Sequence, residues 1–370
     1  MTAPDPLDLW NIGHALVGLS MGVFQLKRWF AYPLKIVWEI YQVFVHYGPY
    51  DIGFDEVWVN SVLDTVVFAV VYEVSWLCAR RFAKTGWWRG ISPRLKSVSA
   101  FLLLTFGGSF VMGWDLKPST APDLLQVTTV IFPMVLCPAI AAFIVRGLIT
   151  RDGFSDGCLS LKIKQSWPVY LAALLIPALM AVVIEYISPA YSIMPEWLRL
   201  PFPGPAGSSL QFIVLTLIMA PLLFGQEFGW RGYLQPRLFD RKPLLSYVIT
   251  GCIWGLWLFT VTWRAYRLSG LDILGLLVIP LITIALSIIL GWFYSNNGNV
   301  WITSMVHGAV AVVGGSLIYA PVYVKARVIY VSAAGIWVLI PVCLACLWIV
   351  LKYYRRNQEN NLVGPDRKSP

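Results

Sequence analysis

Long apolar stretches with almost no charged residues constrain this chain more than any other feature. A helix needs about 20 such residues to cross a bilayer, and the stretches include residues 124–145, 167–184, 244–263, 273–294 and 328–351. Strands of a membrane barrel would instead form segments of about 10 residues with alternating polarity. The sequence therefore predicts an all-α fold, a polytopic transmembrane helical bundle.

The composition also indicates that lipid is the solvent for much of the chain. Hydrophobic residues make up 58% of the sequence and charged residues only 13%, whereas about 25% are charged in an ordinary soluble domain. The net charge of +9 does not indicate a nucleic-acid partner, because the basic residues lie in short loops between apolar segments, where they set topology. We expect the lipid bilayer as a partner and no nucleic acid.

We predict about 11 spans, arranged as three followed by eight. They cover residues 8–25, 29–46, 57–78, 97–114, 124–146, 167–187, 209–227, 244–263, 271–294, 300–320 and 329–351. Alternating the loops between the two sides places most of the 28 Lys and Arg residues on one side. The excess of basic residues in cytoplasmic loops then predicts an external N-terminus and a cytoplasmic C-terminus.

The basic loop between the third and fourth spans is the strongest candidate domain boundary. We predict an N-terminal three-helix membrane module over residues 1–85 and a basic cytoplasmic linker over 86–96. An eight-helix core over 97–352 and a polar cytoplasmic tail over 353–370 complete the chain.

Ionisable residues at membrane depth mark candidate sites, because burying them in lipid is costly. The N-terminal spans hold His14, Glu39, Asn60 and Asp64, with Lys35 beside them in the second span. Asn60 and Asp64 are four residues apart and share a helix face, so we expect the others to meet them inside a three-helix bundle. Interhelical polar contacts that only fix the packing are the alternative.

Two further features belong to this N-terminal module. The motif Gly18-x-x-x-Gly22 permits close approach of two helices. The segments GHALVG, WEIYQ and DEVWVNSVLD, in this order, resemble the VanZ-like membrane proteins. These signatures are short, and no activity follows from them.

The C-terminal part carries three polar segments on separate helices. The segment LLFGQEFGWRGYLQPRL over 222–238 holds Glu227 and Arg231, which a helix brings together as an ion pair because they are four residues apart. The segment IWGLWLF follows over 253–259, and His307 lies within 296–315. Taken singly, these features fit a structural ion pair and a packing histidine as well as a site.

Together and in this order, the three segments resemble the CPBP family, which includes the CAAX prenyl endopeptidases and bacteriocin-processing and immunity proteins. The likeness extends over about residues 97–351. The family motif GEExGWRGYLxPRL is matched by GQEFGWRGYLQPRL except at Gln226. A WGLWH motif corresponds to WGLWL, which ends at Leu258, and a histidine followed four residues later by asparagine corresponds to His307 and Ala311.

The resemblance assigns roles to these positions. In the family, a glutamate and a histidine activate the water that attacks the peptide, and a second histidine and an asparagine stabilise the oxyanion. Three of these four positions are substituted here, by Gln226, Leu258 and Ala311, so that only His307 remains. The resemblance therefore implies a remnant catalytic set, consisting of Glu227, Arg231 and His307, and a substrate cavity lined by tryptophans, namely Trp230, Trp254 and Trp257.

These substitutions predict impaired chemistry. Loss of a general base costs about 10²–10⁴-fold in rate, and loss of one oxyanion donor about 10²–10³-fold. Glu227 points about 100° away from Gln226 around a helix. Glu227 and His307 are too few ligands for a catalytic zinc, which has three from the protein, so we expect neither a metal nor another cofactor.

Three functions remain open from the sequence. The first is a catalytically impaired homologue that binds a membrane protein, a peptide or a prenylated tail. The second is an active intramembrane endopeptidase that uses Glu227 and His307, and the third is a structural subunit of a membrane complex. The resemblance favours a prokaryotic plasma membrane as the location.

Overall fold

The structure of the chain is a computed structural model. It describes residues 10–42, 54–82, 91–113, 132–187, 204–239, 241–269, 273–323, 342–353 and 355. Within these residues the chain forms eleven helices and no strand. The helices correspond in order to the eleven predicted segments, which confirms the all-α fold.

The helices have the following bounds in chain order. They are α1 (Trp10–Val23), α2 (Arg28–Gln42), α3 (Phe54–Phe82), α4 (Pro93–Gly113), α5 (Phe132–Ile144), α6 (Ile163–Ile187), α7 (Gly204–Glu227), α8 (Pro243–Ser269), α9 (Ile273–Asn297), α10 (Val300–Tyr323) and α11 (Val342–Tyr353). Among the described residues, five segments are long and apolar enough to cross a membrane: Ser61–Arg81, Pro93–Met112, Phe132–Ile149, Ile163–Val182 and Ala206–Arg237. The chain is thus a helical membrane bundle.

Several helix ends differ from the predicted bounds. Helix α6 begins at Ile163 and α7 at Gly204, several residues before the predicted starts, because a first helical turn tolerates polar residues that an apolar segment excludes. Helix α2 is described only to Gln42, and the predicted residues 43–46 lie outside the described part of the chain.

Contacts divide the chain into two compact units. The N-terminal unit is Met1–Asp156 with Thr260–Ser269, and the C-terminal unit is Gly157–Phe259 with Gly270–Pro370. The predicted boundary near residues 86–96 stays a prediction. Residues 86–90 of that linker, and the predicted tail apart from residues 353 and 355, lie outside the described residues.

Small residues bring helices close together in the N-terminal unit. A Cβ atom added at Gly18 would lie 2.8 Å from the carbonyl oxygen of Phe68, and one added at Gly22 would clash with the carbonyl oxygen of Tyr72. Helix α1 therefore packs with its backbone against α3, which confirms the close approach predicted from the Gly18-x-x-x-Gly22 motif. Helix α1 also contacts α4, which in turn contacts α5.

In the C-terminal unit, glycines likewise allow close contact between α8 and α9. A Cβ atom at Gly251 would lie 2.5 Å from Cα of Ile284, and one at Gly255 would lie 2.9 Å from Cα of Pro280. The Thr283 hydroxyl donates a hydrogen bond across this contact to the Gly251 carbonyl at 3.0 Å. Elsewhere in this unit, α7 packs against both α6 and α10.

Candidate functional site

The glutamate–arginine segment lies where α7 changes its winding. Helix α7 ends at Glu227 and continues as a π-helical turn over Phe228–Leu234, followed by a short 3₁₀ turn over Gln235–Arg237. The Gln235 amide donates to the Trp230 carbonyl, five residues back. All seven residues of the π turn are buried. Such turns are frequent at functional sites.

Glu227 and Arg231 form a fully buried ion pair. Nη1 of Arg231 donates to Oε1 of Glu227 at 2.9 Å, and neither side chain is exposed to solvent. The pairing predicted from the four-residue spacing is confirmed. Each charge lowers the cost of burying the other, so neither is easily removed alone.

His307 reaches the same carboxylate from another helix. Its Nδ1 atom lies 2.8 Å from Oε1 of Glu227, although the two residues are 80 positions apart in the sequence. A carboxylate oxygen only accepts hydrogen bonds, so Nδ1 of His307 carries the proton and donates it. In a neutral imidazole, the lone pair then lies on Nε2. One oxygen of Glu227 thus accepts from both Arg231 and His307.

The N-cap of α10 and a close helix contact position His307. Helix α10 begins after Asn299, whose side-chain oxygen accepts a hydrogen bond from the Trp301 amide at 2.8 Å, as a helix N-cap does. Next to the histidine, a Cβ atom at Gly308 would lie 3.2 Å from the Thr216 carbonyl oxygen. The absence of a side chain at Gly308 therefore lets α10 approach the α7 backbone closely.

One tryptophan packs against the ion pair, and two others pack against each other. The guanidinium carbon of Arg231 lies 4.8 Å from the ring centre of Trp254, within cation–π range. The ring of Trp254 also meets that of His307 edge-to-face, with centroids 5.0 Å apart. Trp230 and Trp257 form a second edge-to-face pair at 5.7 Å, and all three tryptophans are buried.

The three substituted family positions lie on the same helices as the site. Gln226 is buried and directly precedes Glu227, while Leu258 on α8 and Ala311 on α10 are half-buried. None of these three side chains can act as a base at neutral pH. The catalytic and substrate-cavity roles that the resemblance assigns to the neighbouring residues stay predictions.

A second polar cluster lies in the N-terminal unit. Nζ of Lys35 donates to Nδ1 of His14 at 2.9 Å and also bonds to Glu39, and Nε2 of His14 lies 3.3 Å from Oδ2 of Asp64. The structure therefore brings together His14, Lys35, Glu39 and Asp64. The side chain of Asn60, predicted to join them, lies outside the described side chains.

This cluster has the spacing of a metal site but not its charge. The potential ligand atoms of His14, Glu39 and Asp64 all lie within 4.8 Å of one another. However, the ammonium group of Lys35 is already bonded to two of them, and its positive charge repels a metal cation. The contacts favour a buried polar cluster in which hydrogen bonds join α1 to α2 and a charge contact joins His14 to Asp64 on α3.

Sequence reasoning missed the residues that position His307. Asn299 and Gly308 were not among the predicted site residues, although the segment NNGN directly before an apolar helix is a recognisable N-terminal signal. Lys35 was expected near the polar cluster but not at its centre. Its four-residue spacing from Glu39 was the available signal.

Comparison with known families bears directly on the C-terminal site. The family model described as type II CAAX prenyl endopeptidase Rce1-like matches residues 206–313. This segment extends from α7 to α10 and contains Glu227, Arg231, Trp254 and His307. No curated protein and no solved structure matches the chain. Over residues 206–313, this integral membrane protein is thus similar to the CAAX protease-like proteins, as its sequence motifs predict.

Proposed function

We propose that this CAAX protease-like membrane protein is catalytically impaired and binds a membrane protein, a peptide or a prenylated tail without cleaving it. The observation that carries the proposal is the state of Glu227. This carboxylate is fully buried, and its Oε1 atom accepts hydrogen bonds from both Arg231 and His307. A carboxylate held in this way is poorly placed to take a proton from water.

The substituted positions support the same conclusion. Gln226 stands where the family has its first glutamate, and its amide cannot accept a proton from water at neutral pH. Leu258 provides neither a proton nor a ligand, and Ala311 provides no donor for an oxyanion. The base, its histidine partner and an oxyanion donor are therefore replaced together. Such losses are not additive, but each alone slows hydrolysis by orders of magnitude.

Buried donors near the ion pair support binding. Nη2 of Arg231 and Nε1 of Trp254 are buried, and the described residues offer neither atom a hydrogen-bond acceptor. A buried donor without an acceptor costs roughly 1–3 kcal/mol. The carbonyl groups of a bound peptide would supply acceptors, and the neighbouring rings of Trp230 and Trp257 would contact its apolar portions.

An active intramembrane endopeptidase is the second candidate, and one observation favours it. The 2.8 Å contact of Nδ1 of His307 with Glu227 resembles the carboxylate–histidine pairs in which the carboxylate fixes the tautomer and Nε2 acts as the base. In this alternative, His307 would activate the water, and Glu227 would orient it.

Peptide retention and cleavage distinguish the two functions. Protein purified in mild detergent would be incubated with a library of membrane-segment peptides, including prenylated ones, beside the Glu227→Ala, His307→Ala double variant. Our proposal expects intact peptides to be retained by the wild type, with no cleavage above that of the double variant. Cleavage that disappears in the double variant would instead establish the enzyme.

The proposal also includes an orientation of the chain in the membrane. The basic loops support an external N-terminus and a cytoplasmic C-terminus, and the resemblance to bacterial family members supports a prokaryotic plasma membrane. With this orientation, the C-terminal end of the candidate span Ala206–Arg237 is cytoplasmic, so the binding site near Arg231 would receive its ligand from the cytoplasmic side.

A further inference from the structure

A cavity of about 310 Å³ lies inside the N-terminal unit. Helices α1 to α5 all contribute to its walls, which are mostly apolar and carry polar groups at His14, Lys35, Trp38 and Tyr41. The volume falls at the lower end of the ~300–1,000 Å³ of small-molecule sites. An apolar pocket with a few convergent polar groups is the usual form of a ligand site.

The cavity reaches the surface of the unit. Val37 on α2 and Ile140 on α5 both line it, yet these residues are 62% and 43% exposed. Ile140 lies in the middle of Phe132–Ile149, a candidate membrane span. We expect exposed residues of a membrane span to face hydrocarbon, so an opening beside Ile140 would admit a molecule dissolved in the bilayer.

The hydrogen bonds of Lys35 and His14 define which of their atoms donate and which accept. Lys35 is a donor without an acceptor, so Nδ1 of His14 must accept its hydrogen bond at 2.9 Å. The proton of a neutral His14 ring then lies on Nε2, which faces Asp64 at 3.3 Å. Lys35 has three N–H donors, and His14 and Glu39 accept two of them.

The charges of this wall select the ligand. By formal charge, two acidic side chains in the cluster, those of Glu39 and Asp64, stand against one basic side chain, that of Lys35. An anionic head group would add a second excess negative charge in a site of low dielectric, which is unfavourable. An uncharged group that accepts a hydrogen bond, such as an ester or hydroxyl oxygen, meets the third donor of Lys35 without that cost.

We propose that this cavity binds a single-chain amphiphile whose uncharged head group accepts a hydrogen bond from Lys35 and whose hydrocarbon chain fills the apolar part. A monoacylglycerol or a long-chain alcohol has this chemistry. The site is separate from the one that contains Glu227, so its occupancy does not depend on the function proposed there.

Photocrosslinking tests the proposal on the full-length protein. A medium-chain monoacylglycerol with a diazirine at the end of its chain would be added to the purified protein, irradiated, and its adducts located by mass spectrometry. A fatty acid with the same chain and diazirine is the matched anionic probe. We expect adducts of the monoacylglycerol on α5 near Cys137. Adducts of the fatty acid should be reduced about fivefold or more, because its carboxylate adds a negative charge beside Glu39 and Asp64.

A variant that fills the cavity provides the control. Gly108 lines the cavity, and a Cβ atom there would meet only Cys137, at an ordinary 3.4 Å. Gly108→Leu should therefore occupy cavity volume and abolish the adducts without disturbing the helices. Gly147→Leu is the matched control, because nothing lies within 4 Å of its Cβ position and Gly147 does not line the cavity.

The outcomes separate clearly. Adducts on cavity residues that disappear in Gly108→Leu and persist in Gly147→Leu support the proposal. Adducts outside the cavity, or adducts unchanged by Gly108→Leu, overturn it. Equal labelling by the fatty acid overturns the selection of an uncharged head group.

Discussion

Glu227 on α7 and His307 on α10 are joined by a 2.8 Å hydrogen bond between Oε1 and Nδ1. The same oxygen accepts from Arg231 at 2.9 Å. This contact connects two of the segments that resemble the CPBP motifs, and it places the remaining family histidine against the second glutamate of the first motif. Its effect on the chemistry decides between a binding protein and an enzyme.

The buried ion pair predicts a large and asymmetric effect on stability. Glu227→Leu leaves Arg231 charged and unpaired in the interior, which typically costs about 3–5 kcal/mol in the free energy of unfolding. The double variant Glu227→Leu, Arg231→Leu should recover most of this loss, because no charge remains buried. Unfolding experiments in detergent measure the stability of both variants. A single variant as stable as the wild type would contradict the buried pair.

The backbone contact at Gly251 predicts a second loss of stability. Gly251→Val would place a Cβ atom 2.5 Å from Cα of Ile284, so α8 and α9 must separate, at a cost of about 1–3 kcal/mol or more. Gly147→Val, in open space, is the matched control and should change the unfolding midpoint little. If both variants unfold at the same midpoint, the two helices do not approach as described.

Trp254 predicts an effect on ligand retention rather than on folding alone. Trp254→Leu removes the ring that faces Arg231 at 4.8 Å and the buried Nε1 donor, whereas Trp254→Phe removes only the donor. A cation–π contact contributes about 0.5–2 kcal/mol, so retained peptide should decrease more for leucine than for phenylalanine. Equal retention by all three proteins would exclude Trp254 from the binding site.

The proposed orientation predicts which loops are accessible from outside the cell. In a variant without its native cysteines, Ser155→Cys lies in a loop proposed to be cytoplasmic, and Ser119→Cys lies in one proposed to be external. A membrane-impermeant maleimide should label the second in intact cells and the first only after lysis. The reverse pattern would invert the topology.

Local patterns in the sequence predicted part of this structure. Segments of about 20 apolar residues predicted eleven helices, because a chain in lipid must satisfy its backbone internally. The four-residue spacing of Glu227 and Arg231 predicted their ion pair, and the Gly18-x-x-x-Gly22 motif predicted the contact of α1 with α3. Each of these features depends on residues within one or two helical turns.

Features that depend on distant residues could not be predicted in this way. The contact of Glu227 with His307 joins positions 80 residues apart, and nothing local specifies which faces of α7 and α10 meet. The π turn over Phe228–Leu234 follows a segment that matches an ordinary helical pattern. The predicted span ends at residue 227, whereas the structure continues the helix beyond Arg231 and buries that side chain completely.

Restoring the family residues tests the central claim most directly. The triple variant Gln226→Glu, Leu258→His, Ala311→Asn would be compared with the wild type on the same membrane-segment peptides, with cleavage followed by mass spectrometry. If the substitutions impair catalysis, the wild type leaves the peptides intact and the triple variant cleaves them. Cleavage by the wild type at the rate of the triple variant or faster would contradict the account.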